Sequence, residues 1–263
     1  MSLTRIYALL LRYLYLYPRS IPRILDIVFW PIVDLLIWGW LTLYLQQSRA
    51  GIPGIVSALL GAMVFWNFIQ RSQQAVSIAF LEEVWERNLL NLFVTPVRVG
   101  EFLASTVLIG VVRLALIGGV LSIAALAFFR FNIFSFGLLL IPFAINLFVF
   151  GWVLGLIATS IILRFGQSAQ ILAFALTMLI QPFVAVFYPV SVLPVFLRPV
   201  SLAIPAAHVF EGMRQVVITG VVPWSELIWA TGLNIVWFLV SLWLFLKMFD
   251  YVRVQGHLHK LVD

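Results

Sequence analysis

From Phe134 to Leu163 the chain carries no charged side chain, and from Phe102 to Phe128 it carries only Arg113. A helix through either run has no polar face to turn to water. About 20 apolar residues suffice for one crossing of a bilayer's hydrocarbon core, so both runs read as membrane spans. The rest of the chain supports this. Hydrophobic residues make up 63% of its 263 residues and charged residues 10%. A soluble domain carries about 25% charged residues. So few charges do not build a water-exposed surface, so lipid must cover most of the protein. Six spans use roughly half the chain and leave short loops, with no separate soluble domain.

The spacing of apolar runs predicts a single all-α membrane domain over residues 1–263 with six spans. Residues 1–23 read as an interfacial helix, because Arg5, Arg12 and Arg19 recur on one helical stripe and Leu3, Ile6, Leu10, Tyr13, Leu14 and Tyr17 lie away from it. These arginines, with Arg23, interrupt the segment in a way a cleaved signal does not. The spans are expected near 24–45, 55–79, 102–128, 134–163, 171–188 and 227–249. Residues 189–223 are apolar but broken by Pro189, Pro194, Pro199, Pro205 and Pro223. Such short pieces suit a re-entrant or interfacial excursion better than a crossing.

Charge sets the expected orientation. With six spans, one side holds Arg5, Arg12, Arg19, Arg23, Arg71, Arg87, Arg98, Arg164, Lys247, Arg253 and Lys260, and the other only Arg49, Arg130, Arg198 and Arg214. The positive-inside rule then places both termini in the cytoplasm of a cell whose inner (plasma) membrane holds the chain. The net charge of +6 reads as topology and lipid headgroup contact, not as nucleic-acid binding.

Two segments stand out. Leu81 to Pro96 (LEEVWERNLLNLFVTP) places Leu81, Trp85, Leu89 and Leu92 on one helical face and Glu82, Glu83, Glu86 and Arg87 on another, before Asn88 and the terminating Thr95 and Pro96. It is either a handle for a partner or a solvated loop helix. The second is Pro189 to Arg214 (PVSVLPVFLRPVSLAIPAAHVFEGMR). Through Pro189, Ser191, Leu193, Pro194, Arg198, Pro205, His208, Glu211 and Arg214 this stretch resembles the C-terminal signature of ABC-2 type permeases, the membrane subunits of ABC exporters.

That resemblance implies more. In the family the region forms short extracellular helices that dip back between spans five and six. The loop between spans two and three holds a coupling helix that docks on the ATPase subunit and commonly ends in Thr-Pro, as Thr95 and Pro96 do here. The residues answering to the coupling segment are Glu82, Glu83, Trp85, Glu86, Arg87, Asn88, Thr95 and Pro96. The run Trp85-Glu86-Arg87-Asn88 stands where many members have Glu-Arg-Gly-Thr. The implied assembly is two copies of this chain with two ATP-binding cassette subunits, moving an amphipathic or lipophilic substrate outward. A glycan-export permease is the alternative.

Other chemistry is poorly supported. Neither lysine, Lys247 or Lys260, follows a glycine, so there is no phosphate-binding loop. No cofactor is expected on this chain, with ATP and Mg held by the partner subunit. There is no cysteine, and His208, His257 and His259 form no helical ligand pattern with carboxylates, so no metal site is expected. Catalytic residues are not expected either. Asp34 and Arg113 fall inside spans, where a charge must face protein or water. They line a substrate path or staple helices together. Gly151 and Gly155 make a small-xxx-small pair that allows close helix packing. A passive channel or ion-coupled carrier is the competing class, but only one broken segment is seen where carriers show paired ones.

Overall fold

The computed structural model describes residues 2–16, 20–48, 55–86, 88 and 94–254, and these are helical with no strand among them. Among the described residues the long or complete α-helices are α1 (Leu3–Leu16), α2 (Ile21–Ser48), α3 (Ile55–Trp85), α4 (Val99–Phe129), α5 (Leu140–Phe165), α6 (Leu172–Ile180), α7 (Arg198–Leu202), α8 (Pro205–Thr219) and α9 (Trp224–Val254). Three are long and apolar enough to cross a membrane: α4, α5 with its lead-in from Gly137, and α9. In α2 the shorter stretch Val28–Tyr44 is apolar. α3 is 31 residues long, but its second half carries Arg71, Gln73, Glu82 and Glu83.

Local chemistry sets the breaks. Arg130 ends α4 in the left-handed region (φ 53°), and its N–H reaches back to the carbonyls of Ala125 and Leu126. Asn132 then accepts from the Phe134 N–H and opens a 3-10 stretch, Ile133–Leu139. Gly137 (φ 58°) turns that stretch into α5, and Gly166 (φ 72°) ends α5. Pro205 occupies the first turn of α8, where no N–H is needed, and Gly220 (φ 67°) closes it.

α3 and α5 form the centre and make the most extensive helix contact in the fold. The contact depends on two glycines. A Cβ on Gly151 would lie 2.5 Å from Ser72 Cβ and 2.6 Å from Ile69 O; one on Gly155 would lie 2.8 Å from Val76 Cβ and 2.9 Å from Gln73 O. The Ser72 hydroxyl donates to Phe148 O at 2.6 Å across the same seam. The small-residue pair therefore sits in a backbone-close helix crossing. Around this centre, α2 packs on α3 and α4, α9 on α5 and α8, and α1 on α4. One apolar cluster fills the end near α8, with Phe65, Phe143, Val184, Phe210 and Leu227. A second fills the opposite end beneath α1, with Tyr13, Phe80, Phe102, Leu163 and Phe249.

Two expectations about helix bounds need correction. The helix expected over 171–188 is only nine residues long, Leu172–Ile180, followed by a 3-10 turn, Gln181–Phe183. Pro182 has no N–H to continue the α ladder, and Ala185 then takes φ 56°. No separate helix begins at Leu81 either. Leu81–Trp85 is the last stretch of α3, and Glu83 lies on its buried side while Trp85 is exposed. Arg87 and residues 89–93, expected to continue that segment, lie outside the described residues, as do Arg19, His257 and His259.

Candidate functional site

The chemistry gathers at the two ends of the bundle. At the α1 end, Ile6, Leu9 and Tyr13 are buried, while Leu3, Tyr7 and Tyr15 on other faces are exposed. The helix thus has one apolar side on the protein and another turned outward. Its basic residues meet two buried carboxylates that flank the segment between α3 and α4.

Glu83 closes α3 and is 1% exposed. Arg12 donates to it through both terminal nitrogens, at 2.7 and 3.2 Å. The Tyr13 hydroxyl donates at 3.1 Å and Asn88 Nδ2 at 2.6 Å. The Asn88 N–H also bonds Glu83 O at 2.9 Å, which folds the chain back over the helix end. Glu86, half exposed, stands 3.7 Å from Arg12. Partial burial works against the Arg12 charge, but the hydrogen bond and charge of Glu83 outweigh it and hold the guanidinium pKa above its ordinary value. Burial, reinforced by the Glu83 charge, holds the Tyr13 phenol well above its ordinary 10.0.

Glu101, in the first turn of α4, is also 1% exposed. It accepts from the N–H groups of Ser2 (2.6 Å) and Arg98 (3.0 Å) and pairs with Arg5 at 3.5 Å. The Arg98 bond caps the start of α4. Arg5 also donates to Pro96 O, beside exposed Thr95. Trp85 Nε1 donates to Gln170 Oε1 at 3.2 Å, linking the end of α3 to the turn after α5. One short helix is therefore fastened to both edges of the α3–α4 connection. The structure brings Glu83, Glu86 and Asn88 together around Arg12. It leaves Glu82 half-buried and Trp85, Thr95 and Pro96 at the surface.

At the other end, the proline-rich segment folds into a second polar network. Arg214 donates to the carbonyls of Ala185 (2.9 Å) and Val186 (3.3 Å) and to Glu211 Oε2 (3.3 Å). Glu211 in turn accepts from the Val190 N–H at 2.6 Å. Arg198 donates to Leu193 O (3.0 Å) and Ser191 O (2.7 Å). His208 Nδ1 lies 2.7 Å from Glu226 Oε2, and its Nε2 lies 2.9 Å from Leu202 O. A carbonyl only accepts, so Nε2 carries a proton. Pro189, Pro194 and Pro205 set the turns between these contacts, in which Leu193, Leu197 and Ala207 donate to Val190 O, Pro194 O and Ile204 O. The charged groups act mainly on backbone, so they fix an irregular chain in place. The Trp38 ring stacks on Phe187 at 4.4 Å and ties α2 to the same segment.

Between the ends, the charge acting on Asp34 of α2 is that of Arg71 on α3. Arg71 is buried on α3 and donates to Gln74 Oε1 at 3.1 Å.

The model of the ABC-2 type transporter family matches residues 4–218, from α1 through α8. The chain belongs to the ABC-2 type transporter family. It is therefore a membrane permease, built to transport and not to catalyse. Permease domains of this family generally partner with an ATP-binding cassette subunit. No curated protein sequence matches the chain. The match takes in both polar networks and stops short of α9. Sequence reasoning had singled out the α8-end residues of this ABC-2 permease and Glu83. It missed Arg5, Arg12, Tyr13 and Glu101 as members of one junction. The available signal was Glu101 at the third position of a helix entered from Arg98, a capping position.

Proposed function

We propose that the chain is the membrane subunit of an ATP-driven exporter and works as a pair with two copies of a separate ATP-binding cassette subunit. Its six crossings are α2, α3, α4, α5, the α6 region and α9, with α1 along the cytoplasmic face of the inner membrane and both termini inside. The α8 network then lies outside as a re-entrant cover over residues 189–223. Trp85, Glu86, Arg87, Asn88, Thr95 and Pro96 form the face that meets the ATPase, which holds ATP and Mg. Glu82 borders that face, and Glu83 anchors it from within.

The observation that carries this reading is the double fastening of α1, through Arg12 to Glu83 and through Ser2 and Arg5 to Glu101. A push on the α3–α4 connection is delivered to α1, α3 and α4 as one body and not dissipated in a loose loop. Asp34 on α2 and Arg113 on α4 line the substrate path or staple helices together. The substrate is an amphipathic or lipophilic compound taken from the cytoplasm or inner leaflet.

Purification of the tagged chain from its native membrane tests the assembly. An ATP-binding cassette protein should co-purify in equal amount, and Trp85→Ala with Pro96→Ala should release it. A chain that purifies without any such ATPase contradicts the proposal. Stimulation of the assembled complex by lipid-linked glycans, and not by lipids or drugs, would move the substrate to the glycan class.

A further inference from the structure

His208 on α8 is 7% exposed, and both of its ring nitrogens meet an acceptor. Nδ1 lies 2.7 Å from Oε2 of Glu226, in the first turn of α9. Nε2 lies 2.9 Å from the carbonyl of Leu202, the last residue of α7. One ring therefore joins three helices. The Trp229 ring, one turn along α9 from Glu226, lies over it at 6.2 Å between centroids, only 17° from parallel.

These two contacts need two protons. A neutral imidazole carries one N–H, and an ionised carboxylate carries none. In that state the proton stays toward Leu202 O, and two acceptors face each other across 2.7 Å. The observed geometry is satisfied once the pair holds one proton more. An imidazole ordinarily holds a proton more tightly than a carboxylate does. Glu226, with 30% of its side chain exposed, keeps water on its carboxylate. The closed pair is therefore imidazolium against carboxylate.

The packing decides what moves when that proton leaves. A Cβ on Gly212 would lie 3.1 Å from Pro223 Cγ and 3.3 Å from Glu226 Cβ. α8 thus presses on the stem of Glu226, and the partly exposed carboxylate is the part that can turn to water. Other charges nearby are engaged elsewhere. Glu211 and Arg214 of α8 pair at 3.0 Å, and Arg198 of α7 donates to Ser191 O and Leu193 O. The Tyr188 hydroxyl donates to Pro182 O. Arg71 of α3 donates to Gln74, α5 is uncharged from Leu140 to Leu163, and α9 carries no further charge from Leu227 to Leu246.

We propose that His208 and Glu226 form a proton-operated latch between α8 and α9. It is closed while the pair holds its extra proton. Loss of that proton turns the Glu226 carboxylate to solvent and frees the first turn of α9 from α8. The closed form binds the additional proton, so acid favours it. Imidazole is the side chain whose charge ordinarily changes between pH 5 and 8, so the latch closes toward the acid end of that range and opens toward the alkaline end. It rests on these contacts and not on any ATPase, so it stands or falls separately from the exporter reading.

Amide exchange of the full chain in nanodiscs, at about pH 5 and about pH 8, tests the latch. The reporter is the Leu227 N–H, which donates to Pro223 O at 3.0 Å as α9 begins. Once each rate is divided by the intrinsic rate at its pH, Leu227 should exchange about tenfold faster or more at the alkaline value. Amides in the centre of α5 should keep their corrected rates. In Glu226→Gln the amide donates to a neutral Nδ1, so the latch should stay closed and the pH response of Leu227 should vanish. Where that variant does not fold, nitrogen NMR of the ring decides, in a chain whose other histidines are removed by His257→Gln and His259→Gln. Both ring nitrogens of His208 should be protonated at the acid value, and Nδ1 should be bare at the alkaline one. Equal corrected exchange at the two values overturns the proposal. So does a pH response that survives Glu226→Gln, or an Nδ1 that is bare in acid.

Discussion

Arg12 and Glu83 meet through two parallel hydrogen bonds, 2.7 and 3.2 Å long, that join the first helix to the end of the third. The fork geometry of the guanidinium makes this pair specific as well as strong. Glu83 is buried, so the bonds that hold it decide whether its charge is tolerated there.

Removing Arg12 should therefore cost more than a surface ion pair is worth. Arg12 is a third exposed, which places the cost of Arg12→Gln at about 2 kcal/mol, between exposed and fully buried pairs. Thermal unfolding in detergent checks it. The double variant with Glu83→Gln should be less destabilised than the sum of the two singles, with a coupling of about 1 kcal/mol or more. Additive losses would mean that the pair is incidental.

Alkaline pH should loosen the same end of the bundle. The Tyr13 phenol is held above its ordinary 10.0 in the folded chain, so the unfolded chain loses this proton first as pH rises. Stability contributed by the neutral phenol is complete below about pH 10 and falls as pH climbs toward the folded value. Midpoints measured from pH 8 to pH 11 should drop more steeply for the wild type than for Tyr13→Phe. Parallel slopes would exclude Tyr13 as the source.

The glycine seam offers a sharper steric test. Gly151→Ala places a methyl 2.6 Å from a backbone oxygen, and such overpacking costs about 1–3 kcal/mol. Gly232, whose Cβ would meet nothing within 4 Å, is the control. Gly232→Ala should change stability by no more than about 1 kcal/mol, in the stabilising direction. Thermal midpoints of the two variants compare directly.

The α8 network predicts a local signature. Glu211 holds the Val190 N–H at 2.6 Å, and a hydrogen bond to a charged group contributes about 1.5–3 kcal/mol. In Glu211→Gln, amide exchange at Val190 should accelerate about tenfold or more, while amides in the centre of α5 keep their rates. Exchange that rises equally in both places would show global destabilisation instead.

Much of this architecture was legible as pattern. The run that became α5 lacks charge over more than a bilayer's thickness, that of α4 carries only Arg113, and that of α9 is uncharged from Leu227 to Leu246, a signal that needs no tertiary information. The residues from Pro189 to Arg214 were recognisable because prolines and polar groups recur there in fixed register. What escaped was long-range pairing. Glu83 and Glu86 look alike in sequence, yet Glu83 is buried and Glu86 half exposed, because only the packing of α1 decides which side of α3 faces inward. The surroundings of Asp34 illustrate the same limit. The charge acting on Asp34 belongs to Arg71, on the adjoining helix α3. The helix expected over 171–188 failed for a local reason that was visible, Pro182, but was outweighed by the apolar run around it.

The proposed role of this permease is to convert ATP hydrolysis by a separate subunit into transport. The direct measurement is ATP hydrolysis in proteoliposomes containing the chain alone, the co-purifying ATPase alone, and the two together. The account predicts no hydrolysis above background from the chain alone, and a rate for the complex that exceeds that of the free ATPase and falls back toward it in Arg12→Gln. Hydrolysis by the chain alone, or an ATPase rate indifferent to its presence, would contradict it.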